Sequence, residues 1–279
     1  MKKMAYKPCV DAINDWFKKD YERNFSNDDT LEIYHTYHPK SAFIKTLPLN
    51  SRILDIGAGD GSLDIFRKWL KPSRPDLKIY AYSLEKGDNF DNYDGYEMAD
   101  WEKQKPIFSN TKFDAIYCAN FIEHIKSQSA FFKWINALLN DEGKIYLETS
   151  SDYSLFCPTL PELHTHGFAR IIGNFYDDPT HKISPSTKFI NKQFRKNRFA
   201  VTAQGIIKMP FLENELLMHY KETGDIVSLQ FAYWLYTGWV QYFVANKASR
   251  HPSFNQTLSK LSMRMKRPPS HENFGIADI

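Results

Sequence analysis

Eleven residues near the first third of the chain bring together the types a ligand cradle needs: Ile53-Leu54-Asp55-Ile56-Gly57-Ala58-Gly59-Asp60-Gly61-Ser62-Leu63. An apolar run ends in an acid, three glycines follow at alternate positions, and a helical pattern begins. Glycines at a strand-to-helix junction let backbone come against a ligand and permit dihedrals that other residues resist. With a helix N-terminus behind them, they describe a nucleotide or cofactor cradle. The spacing is G-x-G-x-G, and Ser62 stands where a dinucleotide fingerprint would have its third glycine. A second chemical segment is Phe175-Tyr176-Asp177-Asp178-Pro179-Thr180-His181. Its proline-fixed loop suits a histidine held over a cleft, with Asp177 or Asp178 setting the tautomer. A histidine near its ordinary pKa of ~6.5 is a suitable general base for a hydroxyl nucleophile.

The elements around these segments alternate. Val10, Ile13, Trp16 and Phe17 make an apolar helical stripe, and Ser26-Asn27-Asp28-Asp29 caps a second helix containing Leu31, Tyr34, His35 and His38. After the glycines, residues 62–70 read as a helix, 79–82 as a strand, 86–96 as polar turn, 113–118 as a strand and 131–139 as a helix. Gly143 ends that helix and 144–149 is a strand. Residues 151–183 are loop-like, longer than an idle connection and rich in histidine and aromatics. Ser184-Pro185 reads as a helix start, 199–207 as a strand, 211–236 as helical and 240–245 as a last strand. Strands alternating with helices argue a mostly parallel sheet covered on both faces, with ligands bound beyond the carboxyl ends of its strands. Asp55, Ser83, Cys118 and Thr149 fall at those ends.

Composition narrows the class. With 279 residues, 42% of them hydrophobic, the chain can bury a full core, and a formal net charge of +3 gives no polyanion signal. The run Lys192, Arg195, Lys196, Arg198 reads as a solvated helix face, so nucleic acid is not an expected partner. Cys9, Cys118 and Cys157 are scattered and odd in number, which suits a reducing, cytoplasmic setting. No window reaches the ~20 apolar residues of a membrane span, and no signal-peptide apolar region follows the first lysines.

On Asp55 and its glycines, the chain resembles the class I S-adenosylmethionine (SAM) dependent methyltransferases, small-molecule type. The resemblance covers most of residues 30–247. It implies an α/β fold, a Rossmann-like seven-stranded sheet with an antiparallel closing strand at 242–247. It also implies a helical cap over residues 1–50 and a methyltransferase domain over 51–250. Within that domain 151–183 is a substrate loop and 211–236 are inserted helices; 251–279 is a basic, mobile tail. By the family's pattern Asp55, Gly57, Gly59 and Gly61 face the methionine part of SAM. The ribose acid of the family is replaced here: Ser83, Leu84 and Glu85 occupy that turn, and either Glu85 reaches the ribose or Ser83 makes one weaker bond. Asp100 and Trp101 match the adenine contact, against the alternative that Asp100 merely caps a turn.

Asn120-Phe121-Ile122-Glu123-His124 resembles the segment beside the sulfonium, with Asn120 next to the methyl. Related O-methyltransferases place a divalent metal on acid-x-x-Glu-His. Asn120 lacks that carboxylate, so no metal is expected, although Glu123, His124 and His181 remain candidate ligands. His164 and His166 form a weaker His-x-His candidate. The implied activity is methyl transfer from SAM, leaving S-adenosylhomocysteine, to a hydroxyl or amine of a small-molecule or glycan-type acceptor. His181, Asp178 and His124 are the candidate catalytic residues; no oligomeric state is implied. Two alternatives stay open. A catalytically silent SAM-binding protein is one, given Ser83 and Asn120. An NAD-dependent oxidoreductase on the same fold is the other, against which Ser62 and Asp55 count.

Overall fold

The computed structural model describes residues 10–104, 108 and 111–248. Cys9 and the tail expected over 251–279 lie outside the described residues. Seven strands form one sheet: β1 (Arg52–Ile56), β2 (Lys78–Ser83), β3 (Gly95–Met98), β4 (Phe113–Ala119), β5 (Leu139–Ser150), β6 (Phe199–Ile206) and β7 (Val240–Lys247). Their order is β3-β2-β1-β4-β5-β7-β6. The first five are parallel, and β7 runs antiparallel to both β5 and β6. The reversal of order beside β1 creates the switch point at which such sheets bind ligands.

Alternation along β1 explains the two-sided core. Ile53 faces one layer with Phe43, Ile44, Leu63, Phe66, Leu77 and Ile79, whereas Leu54 and Ile56 face the other with Ile116, Phe131, Phe132, Ile135 and Phe194. The first layer is built by α3 (Pro39–Lys45) and α4 (Ser62–Trp69), the second by α5 (Gln128–Leu138) and α7 (Thr187–Lys196). Strands covered on both faces read as mostly apolar runs, as in β1 and β4, whose charged residues are Arg52, Asp55 and Asp114.

A third core lies beyond the sheet. It joins α1 (Val10–Lys18) and α2 (Asn27–Tyr37) to α8 (Pro210–Thr223) and α9 (Ile226–Thr237), through Trp16, Tyr34, Leu212, Leu216, Leu229 and Tyr233. Trp16 stacks on Tyr236 and Tyr34 on Phe231, both with centroids 4.4 Å apart. The N-terminal helices and the helices before β7 thus form one cover.

Several elements depart from the sequence reading. β3 falls where a polar turn was expected; as a short half-exposed edge strand it has no apolar run, and only pairing with β2 defines it. β5 begins at Leu139, which pairs with Phe113 before a bulge resumes the ladder at Lys144. The N-cap of α7 is Ser186, whose hydroxyl accepts from the Phe189 amide, rather than Ser184. The loop 151–183 contains α6 (Leu160–His164) and two single 3-10 turns, and the stretch 211–236 divides at Gly224-Asp225 into α8 and α9. Asp225 caps α9 by accepting from the Val227 and Ser228 amides.

Candidate active site

Two connected hollows open at the carboxyl ends of β1, β2 and β4, and both are lined by Gly57 and Gly59. The first, of about 460 Å³, is also lined by Ser83, Leu84, Asp100, Trp101, Phe121 and His124. The second, of about 340 Å³, is lined by Asp55, Asn120 and Glu148 together with residues of the helical cover. Gly59 sits at φ +56, and a Cβ built on it would meet nothing closer than 4.0 Å. A side chain there would project into the space a ligand needs. These hollows fit an adenosyl amino acid: a glycine turn, a buried acid, and a flat apolar face.

Asp55, the penultimate residue of β1, is 3% exposed and accepts a 2.8 Å hydrogen bond from the Tyr93 hydroxyl. Burial raises its pKa to about 7, against the opposing pull of the Tyr93 bond. An acid so placed is poised to gain a cationic partner. Ser83 and Leu84 line the first hollow, whereas Glu85 is exposed on the turn and is not among the lining residues. Asp100 caps its own turn by accepting from the Glu102 amide, pairs with Lys103 at 3.2 Å, and still borders the hollow. Trp101 is 4% exposed and packs edge-on against Trp134 at 5.0 Å, forming a rigid wall. Gly61 caps α4 in the left-handed region and lines neither hollow.

Asn120 adopts φ +49, a region asparagine tolerates better than most residues, and its amide donates to the Glu148 carbonyl. Behind it, Glu123, His124 and His181 converge so that one ligand atom from each lies within 4.8 Å of the others. That donor set could hold a divalent cation. Glu123 is fully buried; its Oε2 accepts from the Thr149 hydroxyl at 2.9 Å, while Oε1 has no hydrogen-bond partner among the described residues. Burial raises its pKa to about 7.

The histidines differ in access. The Thr180 hydroxyl donates to Asp178 Oδ1 at 2.6 Å and lies 2.8 Å from His124 Nδ1. Since its proton goes to the carboxylate, it accepts from His124 Nδ1–H, which leaves Nε2 with a lone pair. Burial, then the neighbouring His181, lowers the His124 pKa, so the ring is neutral at pH 7. For Asp178, burial pulls upward but the Thr180 bonds and both histidines outweigh it, and its pKa is lowered. His181 stacks on Phe175 at 4.5 Å, donates from Nδ1 to the Phe175 carbonyl at 2.5 Å, and lines neither hollow. The structure thus brings His124 to the cleft and sets His181 behind it. His164 and His166 lie on or just after α6 and join no three-residue metal cluster among the described residues.

Four features escaped the sequence reading. Tyr93, in a stretch read as turn, braces Asp55. Glu148, 7% exposed, accepts from the Tyr146 hydroxyl at 2.5 Å and lies 3.7 Å from His38 Nε2. His38, between α2 and α3, and Lys40, in the first turn of α3, enter the second hollow from the N-terminal segment, and Phe231 and Trp234 enter it from α9. The end-of-strand position of Glu148 was a usable signal. No local pattern places the others.

A seven-stranded sheet of this order, closed by an antiparallel β7, with a glycine turn after β1, defines a class I SAM-dependent methyltransferase with a Rossmann-like fold. Residues 33–214 match the model of a family described as Methyltransferase domain, and the chain belongs to that family. Among solved structures, a SAM-dependent methyltransferase from Archaeoglobus fulgidus is similar at 15% identity and a TM-score of 0.47, over 80% of this chain and 95% of that one. The YcgJ protein from Bacillus subtilis is similar at 14% identity and a TM-score of 0.46, over 76% of this chain and all of that one. No curated protein is close enough in sequence to count as a match. Among the described residues, no helix is long and apolar enough to cross a membrane.

Proposed function

We propose that this chain transfers a methyl group from SAM to a hydroxyl or amine of a small-molecule or glycan-type acceptor, in the cytoplasm. The observation that supports the reading best is the pair of hollows sharing Gly57 and Gly59, one walled by Asp100 and Trp101, the other by Asp55 and Asn120. In this reading Asp55 holds the methionine ammonium, Ser83 and Leu84 border the ribose, and Asp100 with Trp101 takes the adenine. SAM supplies an electrophilic methyl on a sulfonium. Asn120 flanks that position, while the cap formed by α1, α2, α8 and α9 excludes water and orients the acceptor. Positioning of this kind is worth up to ~7–11 kcal/mol of barrier. His124 lines the first hollow and not the second, so to lose its proton to His124 Nε2 the acceptor must span the opening the two hollows share at Gly57 and Gly59; the Thr180–Asp178 pair holds the tautomer. A small acceptor is favoured because Tyr34, Phe66, Phe231 and Trp234 wall the second hollow. No metal is required in this scheme, since Asn120 offers only a neutral oxygen.

A thermal-shift titration with SAM, S-adenosylhomocysteine and NAD, each alone, tests the cofactor. A ligand at a hundred times its dissociation constant adds ~2.7 kcal/mol of stability. The two adenosyl ligands should raise the midpoint by several degrees and NAD should not; a shift with NAD alone overturns the proposal. An acceptor panel with turnover only on RNA or protein overturns the small-molecule part.

A further inference from the structure

The cation in the second hollow has no described role. Lys40 follows the α2–α3 junction, where the His38 ring accepts from the Lys40 amide at 3.3 Å and fixes the backbone. Its side chain is half-buried and lines the hollow beside Asp55, Gly57 and Gly59. The ammonium lies over the Phe66 ring at 4.8 Å. Among the described residues, no carboxylate comes within ion-pairing distance of it and it makes no side-chain hydrogen bond. Asp55 and Glu148 face it across the hollow, close enough to be felt but not to pair. Burial lowers its pKa, an effect these two acids only partly offset. An ammonium drawn out of water without a paired anion is costly. Here an anion delivered by a ligand would recover that cost.

We propose that Lys40 binds the α-carboxylate of the methionine end of the cofactor, so that Lys40 and Asp55 together read an amino-acid zwitterion. The inference rests on the SAM reading above and extends it: the N-terminal segment is then part of the cofactor site, not only a cover over the acceptor. Lys40 supplies the anion-binding half and Asp55 the cation-binding half, with Gly57 and Gly59 forming the floor between them. Charge-assisted hydrogen bonds of this sort are worth ~1.5–3 kcal/mol, or about 10- to 100-fold in affinity.

Calorimetric titration with three probes tests this: SAM, decarboxylated SAM, which keeps the ammonium and sulfonium, and methylthioadenosine, which lacks the whole amino-acid end. The wild-type chain should bind decarboxylated SAM about 10- to 100-fold more weakly than SAM. In Lys40→Met that ratio should collapse toward one, with methylthioadenosine affinity unchanged, and Lys40→Arg should restore part of it. Equal loss for all three probes in Lys40→Met would assign Lys40 a structural role and overturn the inference. A wild-type ratio near one would overturn it without any variant, leaving the SAM reading intact. Failure of the wild type to bind any adenosyl probe would overturn both.

Discussion

On the proposed reading, Asp55 trades stability for binding. Its carboxyl is buried, and its pKa of about 7 stands well above the ordinary aspartate value of ~3.9. Between those values the folded protein holds a proton that the unfolded chain releases, so this group's contribution to stability is present at low pH and is lost as pH rises toward 7. At about 1.4 kcal/mol per pKa unit, the cost at pH 8 is several kcal/mol before any ligand binds. Asp55→Asn should therefore match or exceed the wild-type melting temperature at pH 8, yet show no SAM-induced shift; calorimetric melts with and without SAM check both. A second expectation concerns His124, whose lowered pKa means that the base form persists below the usual histidine range. Turnover should fall as pH drops through a value under ~6.5. His124→Ala should lose about 10²–10⁴-fold in kcat. A pH–rate profile on the first acceptor found by panel screening would check this, and a profile unchanged in the variant would remove His124 from the chemistry.

At the scale of elements, the glycine turn after β1 is held by a neighbour rather than by its own sequence. The Asn89 amide donates to the Asp60 carbonyl at 2.9 Å, which ties the segment after β2 onto the turn. A Cβ at Gly87 would lie 2.3 Å from the Gly59 carbonyl oxygen and 2.6 Å from the Asp60 carbonyl carbon. Both are backbone atoms, so no rotamer change relieves the clash. Gly87→Ala should therefore displace the cradle itself, costing ~1–3 kcal/mol as overpacking does and weakening SAM binding along with it. Chemical denaturation and SAM titration of this variant would show both losses; retention of wild-type affinity would mean the turn is independent of that loop.

For the whole molecule, the cover over the site is assembled from the two ends of the described chain. Trp16 on α1 is 5% exposed, stacks on Tyr236 of α9 and donates its indole N–H to Asn214 of α8 at 3.1 Å. Trp16→Ala should cost ~3–5 kcal/mol, as large aromatic truncations in cores do. Hydrogen exchange should show α1, α2, α8 and α9 losing protection together while β1 and β4 keep theirs. Loss confined to α1 would show instead that the cover is not cooperative.

Local chemistry was enough to reveal the frame. An apolar run, an acid and alternate glycines specify a strand, a turn and a helix through short-range sterics, and the later alternation of elements implies the sheet that follows. Asp55, Gly57, Gly59, Ser83, Asp100, Trp101 and Asn120 were expected near strand ends, and each lines at least one of the two hollows. Tertiary structure decided the rest. β3 exists only by pairing with β2, and Glu85 is exposed on its turn, outside the lining of both hollows. His124 rather than His181 reaches the cleft because His181 is stacked on Phe175 and anchored to its carbonyl. Lys40 and Glu148 line the second hollow, and Tyr93 braces its Asp55, from segments up to about a hundred residues apart in the sequence. Such long-range convergence leaves no periodic or short-range mark on the chain, since it depends on which faces bury against which.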